Sequence, residues 1–210
     1  MMSLRRLNRL VTLKAFGNRF AGDGRGVSAI EFALIAPVLI LLYLGMAELT
    51  LGMMASRRVS HLASTIGDLA AQSDTLTPDN VTDLWEIANS ILDPFGTTTM
   101  VDNKTVSILK MRMASVTMQT TNKITKASVN WSMNSNWTGF TNTSTEITGI
   151  TTDQIAVGES LIVTQVEYDY DSPIHSPIAD FFKSGTQFKE IFYHHPRNGE
   201  AVACALCPKP

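Results

Sequence analysis

Residues 32–47 read FALIAPVLILLYLGMA, sixteen residues without a charged or strongly polar side chain. Apolar character continues on both sides, and a helix from Val27 to Ala55 would be roughly 42 Å long at 1.5 Å per residue. A membrane span needs about 20 residues to cross a hydrocarbon core of roughly 30 Å. A buried helix of a soluble protein usually keeps one polar face, which this run lacks. We therefore predict a single transmembrane helix over residues 27–55.

Charge is distributed unevenly around this helix. Residues 1–26 carry six basic side chains and one acidic one, whereas only Arg57 and Arg58 follow the span closely. Cytoplasmic flanks of membrane helices carry an excess of Lys and Arg. The pattern predicts a basic cytoplasmic leader at 1–26 and an exported domain at 56–210, although Arg57 and Arg58 weaken the asymmetry.

The composition excludes several classes of protein. A length of 210 residues fits one ordinary domain plus an accessory segment. A formal net charge of −2 argues against a nucleic-acid-binding module, which usually carries a basic excess, so we expect no nucleic-acid partner. Two cysteines are too few for a disulfide-rich scaffold or for a zinc site made only of cysteines.

The segment GVSAIEF, from Gly26 to Phe32, leads directly into the apolar run. It resembles the processing site of type IV prepilins, in which a glycine is followed by four residues and a glutamate. The wider stretch RGVSAIEFALIAPVLILLYLGMAEL resembles the start of the TadE/TadF/TadG-like pseudopilins of the Flp (tight adherence) pilus. The resemblance implies that a membrane-embedded prepilin peptidase cuts after Gly26, and that Val27, Glu31 and Phe32 complete the processing site.

The resemblance also implies a location and a set of partners. The protein would be a single-pass protein of the bacterial inner membrane, with a cytoplasmic N-terminus, a periplasmic C-terminal domain and an association with the pilus. Its partners would be membrane lipid, the prepilin peptidase, other pilins and pseudopilins, and the pilus assembly platform. We expect no cofactor.

The spacing of the processing segment has a physical reason. Cleavage after Gly26 would leave an ammonium group on Val27, roughly 6 Å along the helix from Glu31. A carboxylate inside an apolar helix bundle is costly unless it is paired. The ammonium group of a neighbouring subunit can supply that partner and set the axial stagger between subunits. The alternative is that Glu31 marks the interface end of an unprocessed anchor.

The exported part begins with two predicted helices. Apolar residues at helical spacing extend the first helix to about Gln72. Thr77 and Pro78 are an N-cap and a first helical residue for a second helix, which Asp93-Pro94 ends.

Strands follow these helices. Alternating β-branched and aromatic residues indicate four strands: two that form a hairpin, a third strand, and a late strand ended by proline. Between the hairpin and the third strand, residues 134–152 are rich in Thr, Ser, Asn and Gly and predict a long polar loop. The predicted elements are strand Thr105–Gln119, a turn at Thr121–Lys123, strand Ile124–Met133 with Val129, Trp131 and Met133 on one face, strand Ser160–Tyr170 with Ile162, Val166, Tyr168 and Tyr170 on one face, a short helix from Ser176 to Phe182, and strand Phe188–His194. The fold class is therefore α+β, with a long N-terminal hydrophobic membrane helix extended into an exported domain in which a small antiparallel sheet packs on helices.

Further parts of the chain are similar to the same family, though more loosely. They are Asp68, the pair Trp131-Ser132, the strand VEYDY at 166–170 and the terminal stretch YHHPRNGEAVAC at 193–204.

The sequence ends with the pair Cys204 and Cys207. A redox-active pair normally lies at the start of a helix, which lowers the pKa of one thiol, and no helix can follow here. We predict a local disulfide, as expected in an oxidising periplasm. Zinc binding with His194 and His195 is an alternative, but adjacent residues on a strand point to opposite faces, so at most three ligands converge.

No catalytic motif stands out in the sequence. It contains no nucleophile elbow, phosphate-binding loop, dinucleotide fingerprint or zinc-protease motif. Glu167, Asp169 and Asp171 share a strand face, which a solvated outer face of the sheet explains. We therefore predict a structural and assembly role, a minor pseudopilin of a Flp pilus, rather than an enzyme. The alternatives are an unprocessed single-pass protein presenting a periplasmic binding domain, and a tethered thiol-redox enzyme using Cys204 and Cys207.

Overall fold

The computed structural model describes residues 26–172 and 186–209. The chain divides into two compact units, residues 1–47 and residues 48–210. Most of the predicted leader and the predicted short helix from Ser176 to Phe182 lie outside the described residues.

Helix α1 runs from Val27 to Ala71 and confirms the predicted long N-terminal helix. Between residues 27 and 47 its large apolar side chains are exposed, most of them by more than half. Among the described residues, α1 is the one helix long and apolar enough to cross a membrane. Such a continuous apolar surface is typical of a segment that meets lipid or a protein partner.

The second unit starts at Glu48, inside the segment predicted as membrane helix. From there α1 is amphipathic and packs one face into the domain core. The fully buried residues of that face are Ala55, Val59, Leu62, Ala63, Ile66 and Ala70. The folded domain thus begins before residue 56, because Glu48 and Ala55 are already buried.

Helix α2 runs from Pro78 to Leu92. The Thr77 hydroxyl accepts a hydrogen bond from the Asn80 backbone N–H at 3.2 Å, and the Asn80 side chain accepts one from the Thr77 N–H at 3.1 Å. This capping box satisfies two N–H groups that lack partners within the helix. The predicted start and end of α2 are confirmed.

Arg58 of α1 binds the C-terminal end of α2. Its Nη1 donates to the carbonyl of Ile91 at 3.0 Å and to that of Asp93. A cation at the last carbonyls of a helix offsets their partial negative charge. Arg58 therefore has a structural partner within the domain. It counts less against the charge asymmetry from which the orientation of the membrane helix is predicted.

Among the described residues, the other elements of the domain are β1 Thr98–Val101, β2 Lys104–Ser107, β3 Leu109–Thr121, β4 Ile124–Ser135, α3 Thr145–Thr148, β5 Ser160–Asp169 and β6 Gln187–His194. They include an antiparallel sheet of four strands in the order β4-β3-β5-β6 and a separate hairpin of β1 and β2. The predicted α+β class is confirmed.

The prediction of one strand over Thr105–Gln119 is wrong. The chain forms two strands there, because Ile108 and Leu109 are adjacent and both are buried in the same core, which breaks the alternation of a strand. Strand β2 instead pairs with β1, across a turn in which Asp102 and Asn103 both have positive φ.

The prediction that Val129 shares a face with Trp131 and Met133 is also wrong. Ser115 pairs with Trp131 while Val116 pairs with Val129, so Asn130 is an extra residue in β4. This β-bulge reverses the alternation, and Val129 faces the opposite side of the sheet from Trp131.

The sheet has a core on each face. On one face α1 and α2 pack against residues such as Trp131, Ile162 and Tyr168. On the other face the predicted polar loop contributes Phe140 and Ile147 to a second cluster. That face is therefore solvated only in part, contrary to the sequence-based interpretation. Its open end carries Glu167 and Asp169, both in salt bridges to Lys110, at 2.7 and 3.3 Å.

At Gly67, α1 packs closely against the sheet. A Cβ at this position would lie 2.6 Å from Nδ1 of His194 and 2.9 Å from Oγ1 of Thr164. We expect Gly67→Ala to lower the free energy of unfolding by about 1–3 kcal/mol through overpacking. Thermal unfolding of the full chain in detergent measures it.

Gly52→Ala is the control, because a Cβ there meets nothing within 4 Å. It should be neutral or stabilise α1 by up to about 1 kcal/mol. Equal changes in the free energy of unfolding for Gly67→Ala and Gly52→Ala would contradict close packing of Gly67 against the sheet.

Candidate processing site and membrane segment

The predicted processing segment lies at the start of α1. Gly26 directly precedes the helix and Val27 is its first residue, with Glu31 one turn further on. The side chains of Val27, Glu31 and Phe32 are exposed. A Cβ built on Gly26 meets nothing within 4 Å, so the fold itself does not require glycine there. The peptide bond after Gly26 is thus accessible at a helix N-terminus.

Three of the four loose landmarks of the sequence, Asp68, Trp131-Ser132 and the terminal stretch, are joined by hydrogen bonds in the domain. Arg197 donates to Asp68 at 3.1 Å, and this hydrogen bond is the largest cause of the lowered pKa of Asp68. The Trp131 indole N–H donates to the carbonyl of Val202 at 2.8 Å, and the Ser132 N–H donates to that of Pro208 at 2.9 Å. These contacts attach the C-terminal segment to the end of α1 and to β4.

Residues 26–67 match the family model of TadE-like proteins. The chain carries a TadE-like segment. The match begins at Gly26 and contains the exposed apolar surface of α1. It ends at Gly67, where α1 packs against the sheet. The match covers about a fifth of the chain. Comparisons with curated proteins and with solved structures gave no match.

The cysteine pair lies in the core between the sheet and helices α1 and α2. Cys204 and Cys207 form a disulfide, and both residues are buried. Burial lowers the pKa of His194, opposed by the Asp68 carboxylate, while His195 is exposed. Within residues 26–172 and 186–209, no group of three or more metal-ligating side chains lies close enough to hold a metal ion.

Replacing both cysteines by alanine separates a structural cross-link from a redox site. We expect Cys204→Ala/Cys207→Ala to lower the free energy of unfolding by about 1–2 kcal/mol, mostly from the lost closure of a short loop. Under a role of the chain in pilus assembly, pilus formation at growth temperature should persist. Thermal unfolding and counting of pili check the two parts, and complete loss of pili with a stable fold would instead favour thiol chemistry.

Among the described residues, two charged side chains are buried that the sequence did not predict to be buried. The first is Glu48, 3% exposed, whose Oε1 accepts a hydrogen bond from Ser172 Oγ at 2.8 Å. The apolar run predicts a membrane-interface position for Glu48, and the partner 124 residues away carries no sequence signal.

The second is Arg112, on the sheet face away from α1. Its guanidinium lies between two rings, 4.4 Å from the centre of Trp137 and 4.1 Å from that of Phe140. It also pairs with Glu146 at 3.2 Å and donates from Nε to Gln165 at 2.8 Å. The sequence signal for this cluster is one arginine among the apolar residues of β3. These contacts hold the loop of residues 136–148 on the sheet and are structural.

Proposed function

We propose that the chain is a minor pseudopilin-like membrane protein for the assembly, initiation or stabilisation of a Flp/Tad-type adhesive pilus, cleaved by a prepilin peptidase after Gly26. The observation that carries the proposal is the TadE-like match beginning at Gly26, directly before an exposed apolar helix. The partners are the peptidase, membrane lipid, other pilins and pseudopilins, and the assembly platform.

The membrane segment of this proposal is residues 27–47. These 21 residues form about 31 Å of helix, close to the roughly 30 Å thickness of a hydrocarbon core. The span ends at Ala47 instead of Ala55, because Glu48 and Ala55 are buried in the domain. The basic leader keeps the N-terminus in the cytoplasm of a bacterial inner membrane, and the domain is periplasmic.

Cleavage gives the helix a new chemical end. It leaves an ammonium group on Val27 and keeps the exposed carboxylate of Glu31 one turn away. When apolar helices of neighbouring subunits pack, an unpaired Glu31 would be costly in the low-dielectric interior. Pairing with the ammonium group of the next subunit removes that cost and fixes the stagger.

The N-terminus of the protein in cells tests processing directly. Membranes are washed with carbonate, the chain is extracted in detergent, and its first residues are read by mass spectrometry. We expect a carbonate-resistant chain that begins at Val27. A chain that retains residues 1–26 would overturn processing and favour the alternative, an unprocessed anchor that presents a periplasmic binding domain.

Glu31→Gln separates cleavage from assembly. The amide keeps the size of the side chain but removes the charge that pairs with the Val27 ammonium group, so we expect normal cleavage and few or no pili. Immunoblots of the chain and electron microscopy of pili give the two readouts. Glu86→Gln, at an exposed position of α2, should change neither. Normal piliation with Glu31→Gln would contradict the pairing.

A further inference from the structure

A histidine ring packs between α1 and the edge strand of the sheet. His194 is the last residue of β6, and a Cβ at Gly67 of α1 would lie 2.6 Å from its Nδ1 and 2.8 Å from its Cε1. Among the described residues, neither this buried Nδ1 nor the buried Oγ1 of Thr164 on β5 has a hydrogen-bond partner. Most buried polar side-chain atoms are paired, so two unpaired atoms at one contact call for an explanation.

The charged groups that face this ring are already paired with each other. On α1, the Asp68 carboxylate accepts hydrogen bonds from Nη2 of Arg197 at 3.1 and 3.3 Å. On β5, the residue opposite His194 is Ile162, which does not titrate. The next residue along the chain, His195, is exposed. A proton added to His194 would therefore meet a carboxylate whose charge Arg197 already offsets.

The same contact holds the start of the C-terminal segment. Three residues after His194, the backbone N–H of Arg197 donates to the carbonyl of Ala71, the last residue of α1, at 3.0 Å. Further on, the N–H of Ala203 donates to the carbonyl of Asp74, in the loop after α1, at 3.1 Å. Because β6 continues directly into this segment, a movement of His194 away from α1 also strains these two hydrogen bonds.

A proton on His194 is unfavourable in this position. The imidazolium form carries a donor on both ring nitrogens, and Nδ1 is buried against Gly67 without an acceptor among the described residues. We propose that His194 forms an acid-sensitive contact: its neutral ring keeps α1 against β6, and protonation opens this contact and frees the C-terminal segment from the end of α1. The proposal goes beyond the proposed function and is independent of cleavage after Gly26.

The direction of the pH effect follows from the position of the ring. Burial lowers the pKa of His194 from its ordinary value of 6.5, and the Asp68 carboxylate opposes this shift. The unfolded chain therefore takes up the proton at a higher pH than the folded chain does. The contact has its full strength above about pH 6.5 and weakens as the pH falls from there through the lowered pKa of the folded state.

Hydrogen exchange of the full chain in detergent, measured at about pH 7.5 and about pH 5.5, tests the contact. The reporters are peptides that contain the amide hydrogens of Arg197 and Ala203, with exchange corrected for the intrinsic effect of pH. In the wild type, we expect their protection to fall several-fold at the lower pH. In His194→Gln, which has no titratable group there, protection should be the same at both values. His194→Phe is a second such variant, and comparing two pH values of one variant removes any general change in its stability.

His195→Gln is the matched control, because it removes an exposed histidine beside the contact. It should show the same fall in protection as the wild type, while protection of the amide hydrogens of β3 should not change in either chain. The proposal is overturned if His194→Gln loses protection as the wild type does, or if the wild type keeps its protection at the lower pH. An equal fall in β3 would also overturn it, since acid would then unfold the domain as a whole.

Discussion

Gly26→Ala should abolish processing and leave a slower-migrating precursor that still carries residues 1–26. In the proposed processing the peptidase recognises the glycine itself, whereas the fold leaves room for a methyl group at this position. The loss would therefore come from recognition and not from misfolding. The precursor should remain in the inner membrane, and pili and adhesion should be lost.

The readouts are an immunoblot of the chain, mass spectrometry of its N-terminus and a surface-adhesion assay. Gly52→Ala supplies the control, because it makes the same change in α1 outside the proposed membrane segment, with nothing within 4 Å of the new Cβ. It should be cut and should support adhesion normally. A Gly26→Ala chain trimmed to Val27, or adhesion unchanged with an uncut chain, would contradict the proposed role of Gly26.

The parts of the fold that sequence could predict depend on local signals. The apolar run and its helical continuation predicted α1 to within one residue of its end at Ala71. Thr77 and Pro78 fixed the start of α2, because capping involves neighbours in sequence. Strand β5, Ser160–Asp169, was predicted to within one residue, with Ile162, Val166 and Tyr168 on one face, although both of its faces are buried.

The parts that sequence could not predict depend on contacts made after folding. The bulge at Asn130 places Val129 on the opposite side of the sheet from Trp131. The Asn130 side chain donates to Ser115 and Thr117 of the paired strand. Nothing near Asn130 in sequence marks it as an extra residue. Likewise, the apolar run includes no sign that Glu48 belongs to the domain, because its partner Ser172 lies beyond five strands of the chain.

The processing segment is a different case. Gly26, Val27, Glu31 and Phe32 are contiguous, so the structure adds accessibility and a helix start without bringing distant groups together. A linear recognition segment of this kind is readable from sequence. A site assembled from separate strands is not, as the Arg112 cluster shows.

The Arg112 cluster gives the largest expected loss of stability. We expect Arg112→Ala to lower the free energy of unfolding by about 3–4 kcal/mol, near the range for breaking a buried ion pair. The variant leaves a gap between the rings of Trp137 and Phe140 and removes a partner of Glu146. Burial lowers the pKa of Arg112 but the pairing with Glu146 opposes it, and an arginine remains charged at every pH of interest.

Two further variants identify the cause of that loss. Arg112→Lys keeps the charge but loses the flat guanidinium that fits between the rings, so it should recover less than half of the lost stability. Lys189→Ala removes the more exposed partner of Glu146, 3.3 Å away, and should cost less than about 1 kcal/mol. Thermal unfolding of the full-length chains in one detergent measures all three. If Arg112→Ala cost no more than Lys189→Ala, the loop of residues 136–148 would be held by its apolar residues Phe140 and Ile147 alone. If Arg112→Lys recovered the wild-type stability, charge pairing rather than stacking between the rings would fix the loop.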